Sequence, residues 1–203
     1  MNRRSFIVTT SAFLASGPVA ASQRLPTPAS TEGPYFPDRM PADTDSDLTR
    51  IAGHAVQARG TPLALTGRVL TVDGDALAGA RIEIWQCDAD GRYLHSASSG
   101  ERGIDPGFQG YGVAIANGDG AFGFRTIVPV PYGGRTPHIH ARLVAPNGRH
   151  LTTQIYLPGH AMNEDDFLYS RLGSGAVKRA ASLAETAATE PGIRVGAFDF
   201  VLR

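Results

Sequence analysis

The sequence predicts an all-β fold, a β-sandwich of short antiparallel strands with an irregular N-terminal arm and one short C-terminal helix. Segments rich in β-branched and aromatic residues recur at short intervals, and Asp-Gly and Asn-Gly turns separate them. The chain contains 24 glycines and 14 prolines, which favours many turns. Apolar residues make up 42% of the 203 residues, so one domain with a substantial core is expected.

Charge and cysteine content exclude two classes of protein. The formal net charge is zero, so the chain has no basic excess to neutralise phosphates, and no nucleic-acid partner is expected. The single cysteine, Cys87, excludes an internal disulfide. We interpret Cys87 as a small core or near-surface residue rather than a nucleophile.

Residues 1–22 are predicted to be an export signal. Arg3 and Arg4 precede an apolar run of about fifteen residues that ends at small residues, which is short for a membrane span. The sequence "NRRSFI" resembles the twin-arginine type, and an ordinary secretory signal is the alternative. We therefore expect a periplasmic or secreted protein with no stable membrane anchor once the signal is removed.

The rest of the chain divides into an arm and a domain. Residues 23–55 are rich in Pro, Thr and Asp and lack periodicity, which predicts an irregular arm that wraps the domain. Residues 56–203 are predicted to form the sandwich. The alanine-rich segment Ala176 to Ala187 has apolar residues at helical spacing and is the helix candidate.

Turn sequences predict how the strands connect. "NGDG" predicts a hairpin between its flanking strands, and "NGRH" predicts a second one. The strands on either side of "DGDALAG" are expected to be a hairpin-like or sandwich-like pair. The predicted strands cover residues 63–72, 80–88, 111–116, 121–129, 138–146, 151–158 and 195–202.

His138 and His140 are the first residues that indicate a functional site. Side chains two apart in a strand point to the same side, so two imidazoles share a face, and this pairing is a natural start for a metal site. The alternative is that the two histidines have no function and lie on a solvated strand face. A zinc site would need a cysteine or a third histidine at a spacing that brings it to the other ligands. A cupin would need a glutamate ligand a few residues after His140, but Ala141 to Val144 contain no acid, so the cupin alternative is weakened.

Two tyrosines could complete such a site. Tyr132 lies six residues before His138, and Tyr93 follows a turn at a strand start. A phenol is a poor ligand while protonated, because its usual pKa is about 10. A trivalent cation stabilises the phenolate directly, so tyrosine together with histidine points to ferric iron.

These segments together resemble the intradiol ring-cleavage dioxygenases, the non-haem ferric family that includes protocatechuate, catechol and hydroxyquinol dioxygenases. The similarity runs from about Thr31 to Phe200, and the single-domain length is closer to the protocatechuate branch. The pieces that carry it occur in family order: "TEGPYF", "LTGRVL", "GARIEIWQCDADGRY", "DGAFGFRTIVPVPY", "RTPHIHARL" and "LTTQIYLPG".

The resemblance implies a metal centre and a reaction. Tyr93, Tyr132, His138 and His140 would bind Fe(III), with Tyr132 and His140 axial and Tyr93 and His138 equatorial. Tyr132 would leave the metal when a catechol chelates it and would help take a substrate proton. The ring would be cleaved between its two hydroxyl-bearing carbons, with both atoms of O2 incorporated, to give a cis,cis-muconate-type diacid.

Three further residues receive roles from the same resemblance. Arg135 would lie beside the substrate and stabilise carbanion character on the ring. Gln154 matches a glutamine near the substrate and dioxygen, and Tyr35 would line the mouth of the pocket or simply pack. Trp85 is interpreted as a core residue.

Some questions stay open at the level of sequence. The glycine-rich stretch "IDPGFQGYG" and the segment "YGVAIANGDG" depart from the family pattern, so the particular catechol is not predicted. The protocatechuate branch builds its unit from two related chains, which is compatible with a homodimer. A non-catalytic transthyretin-like binding module would explain the sandwich, but it would not explain the two tyrosines and two histidines together.

Overall fold

The computed structural model describes residues 23–99, 103–186 and 192–203, so the predicted signal at 1–22 lies outside it. Within this part of the chain, nine strands form two sheets, and the helices are short. None of these helices is long and apolar enough to cross a membrane. The strands are β1 Pro62–Thr71, β2 Arg81–Trp85, β3 Tyr111–Ile115, β4 Ala121–Ile127, β5 His138–Val144, β6 His150–Tyr156, β7 Ala184–Thr186, β8 Arg194–Ala197 and β9 Phe200–Leu202; the helices are α1 Ser96–Ser99 and α2 Gly175–Ala180, with a 3-10 turn at Ser170–Leu172.

The first sheet has the order β4-β1-β8-β7, and β9 pairs with the far end of β1. β4 is antiparallel to β1, but β8 and β9 run parallel to it, which differs from the all-antiparallel prediction. The predicted last strand is broken between Ala197 and Phe200. The Phe198 N–H still donates to the Thr66 carbonyl at 2.9 Å, but at the next residue the Asp199 carboxylate accepts from the Arg68 N–H at 2.9 Å. Gly67 permits this break, since a Cβ there would lie 1.9 Å from the Phe198 carbonyl oxygen.

The second sheet has the order β3-β2-β5-β6 and is antiparallel throughout. The predicted β5–β6 hairpin is therefore confirmed. Alternate side chains from β2, β5 and β6, including Ile84, Ile139 and Ile155, enter the core between the two sheets. The opposite face of this sheet carries a cross-strand row of Tyr111, Trp85, His140 and Gln154, and the candidate site is built there.

Two sequence predictions were wrong in detail. β3 and β4 do not form a hairpin, because β3 pairs with β2 in the second sheet while β4 pairs with β1 in the first; the "NGDG" turn carries the chain between sheets. The helix predicted from Ala176 to Ala187 ends at Ala180. The Leu183 N–H then donates to the Tyr156 carbonyl at 2.9 Å, and its side chain enters the core, so the segment continues as β7. Ala187 lies outside the described residues.

Residues 23–61 contain no helix or strand apart from an isolated bridge between Asp47 and Arg125. Backbone hydrogen bonds fasten this arm to both sheets. The Thr27 N–H donates to the Val201 carbonyl at 3.0 Å, and the Ser30 N–H donates to the Thr152 carbonyl at 2.8 Å. The arm consequently crosses from the first sheet to the outer face of the second.

Candidate metal centre and active site

Four side chains predicted from the sequence converge on the outer face of the second sheet. His138 and His140 begin β5, and their Nε2 atoms are 3.2 Å apart. Tyr132 comes from the loop between β4 and β5, and its Oη lies 3.2 Å from His138 Nε2. Tyr93 follows the turn after β2, and its ring meets that of Tyr132 edge-on at 4.8 Å. Two imidazoles and two phenols therefore surround one point.

Both imidazoles are in the state that binds metals. His138 Nδ1 lies 2.7 Å from the Thr136 carbonyl, which can only accept, so Nδ1 carries the proton and Nε2 presents its lone pair to the site. Burial, with a contribution from the positive charge of Arg135, lowers the pKa of His138 to about 4. Burial also places the pKa of His140 well below its ordinary value, so both rings are neutral at pH 7.

The two phenols are buried to different extents. Tyr93 is 1% exposed and its Oη has no hydrogen-bond partner, whereas Tyr132 is only partly buried. Burial raises the pKa of Tyr132 and raises that of Tyr93 well above its usual value, so without a cation both remain protonated. An unpaired buried hydroxyl costs about 1–3 kcal/mol. A cation at the point where the four side chains meet would remove this cost, and the donor set of two phenolates and two neutral imidazoles suits ferric iron.

The surroundings of His140 fix its ring plane. The Trp85 indole stacks on it with centroids 5.0 Å apart and 9° between the planes. On another side Gly33 approaches so closely that a Cβ there would lie 3.0 Å from His140 Cε1. His140 Nδ1 has no partner. Trp85 was predicted as a core residue; it is fully buried, and it also contacts a candidate ligand directly.

Arg135 is held beside the four side chains by a buried acid. Its Nε donates to Asp166 Oδ2 at 2.7 Å, and one terminal nitrogen donates to Gln154 Oε1 at 2.7 Å. Burial opposes ionisation of Asp166, but hydrogen bonds from Arg135 and from the Tyr169 and Thr136 N–H groups outweigh it and lower the pKa of this carboxyl. The guanidinium therefore stays charged in a fixed orientation, since Asp166 also raises the pKa of Arg135.

Gln154 lies beside Arg135, and both ends of its amide are hydrogen-bonded. Its Oε1 accepts from Arg135 and also from the Tyr156 hydroxyl at 2.9 Å. Its Nε2 donates to the Thr31 carbonyl at 3.2 Å. These contacts make Gln154 a support for Arg135 and for the arm at Thr31.

Tyr35 lies over the two phenols. Its half-buried ring stacks on Tyr93 with centroids 5.3 Å apart and meets Tyr132 edge-on at 6.1 Å. The Phe167 ring is 55% exposed and lies 5.1 Å from the guanidinium carbon of Arg135. Tyr35 and Phe167 are thus incompletely buried aromatic rings that contact the cluster and Arg135.

Sequence reasoning missed Asp166. It lies in "MNEDDF", where three acids in a row are typical of a solvated loop. Glu164 and Asp165 are indeed exposed, but the side chain of Asp166 is completely buried. No spacing signal links Asp166 to Arg135, because β5, β6 and two loops separate them in sequence and only the fold brings them together.

The described part of the chain holds no group of three or more His, Cys, Asp and Glu side chains that could bind a metal. A metal at this site would therefore depend on the tyrosine oxygens as well as on the two histidines. Cys87 is buried among aromatic core residues, and burial raises the pKa of its thiol to about 12, which agrees with its interpretation as a small core residue.

Comparison with known proteins gives consistent matches. Residues 31–203 match a family model described as dioxygenase. The chain is 34% identical over 168 residues to the beta chain of protocatechuate 3,4-dioxygenase from Burkholderia cepacia, covering 78% of this chain and 72% of that relative. It is 30% identical over 166 residues to catechol 1,2-dioxygenase from Acinetobacter baylyi, covering 71% of this chain but only 50% of the relative.

Solved structures show the same similarity. The dioxygenase domain of a dioxygenase and carbohydrate-binding fusion protein from Streptomyces matches with a TM-score of 0.65 and 34% identity, covering 87% of this chain and 97% of that one. Catechol 1,2-dioxygenase from Acinetobacter matches with a TM-score of 0.66 and 26% identity, covering 87% of this chain and 62% of that one. This chain therefore spans only part of the length of the catechol-cleaving relatives.

Proposed function

The chain belongs to the intradiol ring-cleavage dioxygenases, and we propose that it uses non-haem Fe(III) to cleave a catechol-type ring between its two hydroxyl-bearing carbons. Both atoms of O2 enter the product, a cis,cis-muconate-type diacid. The observation that carries the proposal is the buried, unpartnered Tyr93 Oη beside Tyr132, His138 and His140. A cation bound at this point would give the buried Tyr93 oxygen the partner that it lacks.

Tyr93, Tyr132, His138 and His140 would hold the iron. When bound, Fe(III) supplies a Lewis acid and a template on which a catecholate is oriented. The protein supplies the geometry: Thr136 fixes the tautomer of His138, and Trp85 and Gly33 fix the plane of His140.

With iron bound, Tyr132 would be held as a phenolate, and this oxygen is the group best placed to take a substrate proton. Tyr132 is partly exposed, whereas the Tyr93 oxygen is fully buried. A general base must reach the proton that it abstracts, and a catechol that enters past Tyr35 meets Tyr132 first.

Arg135 would stabilise negative charge that develops on the ring. The Asp166 carboxylate and the Gln154 amide hold the guanidinium in place before substrate arrives. A positive charge fixed in a partly dry site stabilises an anion better than a mobile one in water does.

The first experiment is the visible spectrum of the aerobically purified protein, with and without catechol, beside an iron assay. A tyrosinate-to-iron charge-transfer band that shifts with catechol and disappears in Tyr93→Phe supports the proposal. Uptake of labelled dioxygen with both atoms in the ring-opened product would establish the reaction. A colourless protein that stays iron-free after reconstitution would instead support the transthyretin-like binding module.

We also propose that the protein is exported through its paired arginines, on the evidence of the sequence "NRRSFI". Fractionation of cells that express the wild type and an Arg3→Lys, Arg4→Lys variant tests this. Retention of the variant inside the cell is the expected result, and unchanged export would point to an ordinary secretory signal. The homodimer stays a prediction, and analytical ultracentrifugation decides it.

A further inference from the structure

A cluster of charged side chains lies one cross-strand pair away from the candidate metal centre. On the outer face of the second sheet, Trp85 is paired with His140, and the next outward-facing pair is Glu83 with Arg142. Glu83 is 7% exposed, so this is a largely buried ion pair. The Glu83–Arg142 pair lies next to the candidate metal centre, so its other contacts bear on how that centre is supported.

Arg142 makes contacts in three directions. Its Nε donates to Glu83 Oε2 at 2.8 Å, and one terminal nitrogen lies 2.6 Å from the same oxygen. The other terminal nitrogen donates to Glu32 Oε2 at 3.2 Å. The flat face of the guanidinium lies over the Phe36 ring, 4.5 Å from its centroid. Arg142 thus joins a strand of the sheet to both ends of the short stretch 32–36.

That stretch belongs to the arm, and we call residues 31–36 the cover segment. Gly33 presses on His140, Tyr35 stacks on Tyr93, and Phe36 meets Trp85 edge-on at 5.0 Å. Every one of these contacts falls on a candidate ligand or on the ring that supports one. In the described residues the cover segment has no helix or strand hydrogen bonds of its own, so side chains must hold it down.

We propose that Arg142 is a positioning residue that clamps the cover segment over the metal centre. Only arginine offers this combination, because its rigid fork binds two carboxylates while its face stacks on an aromatic ring. The contacts of Arg142 are with Glu83, Glu32 and Phe36, and none of these is a candidate metal ligand. It acts through Glu32 and Phe36, which keep Gly33 and Tyr35 against the site. The catalytic consequence rests on the proposed function, but the clamp itself does not.

Hydrogen exchange followed by mass spectrometry tests the clamp without iron or activity. In Arg142→Met, the Gly33 amide of the cover segment, which donates to the Thr31 hydroxyl at 3.1 Å, should exchange about tenfold faster, the change expected when a charge-assisted hydrogen bond is lost. Amides of β5 around Ile139 should not change. Arg81→Met is the matched control, since Arg81 binds the other oxygen of Glu83 and, in the described structure, no residue of the cover segment. Equal exchange of the cover segment in both variants would overturn the proposal.

Kinetics give a second readout. A loosened cover segment weakens substrate binding in the ground and transition states alike, so KM for catechol should rise about tenfold while kcat and the charge-transfer band stay as in the wild type. Arg142→Lys keeps the charge but not the fork and should recover only part of the KM. A fall in kcat at unchanged KM would contradict a positioning role.

Glu32→Gln covers the case in which Arg142→Met does not fold. Glu32 is partly exposed and its removal leaves the Arg142–Glu83 pair intact, so only the link to the cover segment is weakened. Faster exchange confined to residues 31–36 supports the clamp, and unchanged exchange overturns it. An inactive wild-type protein that still showed the exchange difference would refute the proposed function and leave the clamp standing.

Discussion

The Trp85 indole lies nearly parallel to the His140 imidazole, with 9° between the planes and 5.0 Å between the centroids. The two residues are cross-strand partners on β2 and β5, so the sheet register itself sets this contact. A candidate ligand is therefore oriented by the largest fully buried side chain of the described structure.

Replacing Trp85 with Leu should affect both stability and metal retention. The change leaves a cavity at a fully buried site and should lower the free energy of unfolding by about 3 kcal/mol. His140 also loses its stacking partner, so iron should be lost faster to a chelator. Urea unfolding of the metal-free protein and iron content after dialysis measure the two effects. Trp85→Phe should keep more of the stability and more of the iron than Trp85→Leu does. A Trp85→Leu variant that held iron like the wild type would contradict the role of Trp85 in orienting His140.

Tyr93→Phe should stabilise the metal-free protein. Removal of an unpaired buried hydroxyl should raise the free energy of unfolding by about 1 kcal/mol, while iron binding and the visible band are lost. Tyr156→Phe should have the opposite effect, because the Tyr156 hydroxyl donates to Gln154, and its loss should lower the free energy of unfolding by about 1 kcal/mol. Denaturant titrations of both variants without metal show whether each change raises or lowers the free energy of unfolding. Destabilisation by Tyr93→Phe would show that its hydroxyl has a partner in solution.

Asp166→Asn should disrupt the support of Arg135. The change leaves a partly buried guanidinium without its carboxylate, which should cost about 3 kcal/mol of stability. The displaced guanidinium should also reduce kcat by about 100-fold. Asp165→Asn, at an exposed neighbouring acid, should change neither quantity. Thermal unfolding and turnover of catechol provide the measurements, and a fully active Asp166→Asn enzyme would contradict this account.

The Asp166 carboxylate also predicts that the free energy of unfolding falls at acid pH. The folded state lowers the pKa of Asp166 relative to the unfolded chain. Its contribution is therefore present above the unfolded value of about 3.9 and is lost as the pH falls through the folded pKa. Below about pH 4 the wild type should lose stability more steeply than Asp166→Asn does. Urea midpoints of both proteins between about pH 2 and pH 6 test this. If the two midpoints fell in parallel as the pH was lowered, Asp166 would not be a source of the loss of stability in acid.

Gly33→Ala should displace His140. Gly33 has a φ of 75°, and its added Cβ would lie 3.0 Å from His140 Cε1. Gly148 has a φ of 83° with nothing within 4 Å, so Gly148→Ala imposes the backbone strain alone, about 1 kcal/mol. Both variants should lose stability, but only Gly33→Ala should lose iron. Equal iron content in the two would mean that the cover segment yields instead of the imidazole.

The sequence was informative where a feature depends on local periodicity. The two-residue repeat along β5 predicts that His138 and His140 share a face, and the resemblance to a family supplies Tyr93 and Tyr132. The pairing of β3 and β4 was not predictable, because a short turn joins two strands whether they pair or belong to different sheets. Arg135 and Asp166 lie 31 residues apart with two loops between them, and only the folded chain shows that they meet.

The parallel strands β8 and β9 have a consequence for how the protein folds. They pair with β1, joining Leu63 to Arg194 and Thr71 to Leu202, so the first strand of the sandwich finds two of its neighbours in a segment that is synthesised much later. Contacts between residues so distant in sequence slow folding, because a long loop must close before they form. During synthesis β1 would keep an unpaired apolar edge until this segment is available. We therefore expect slow folding, and we expect chains truncated before β8 to aggregate.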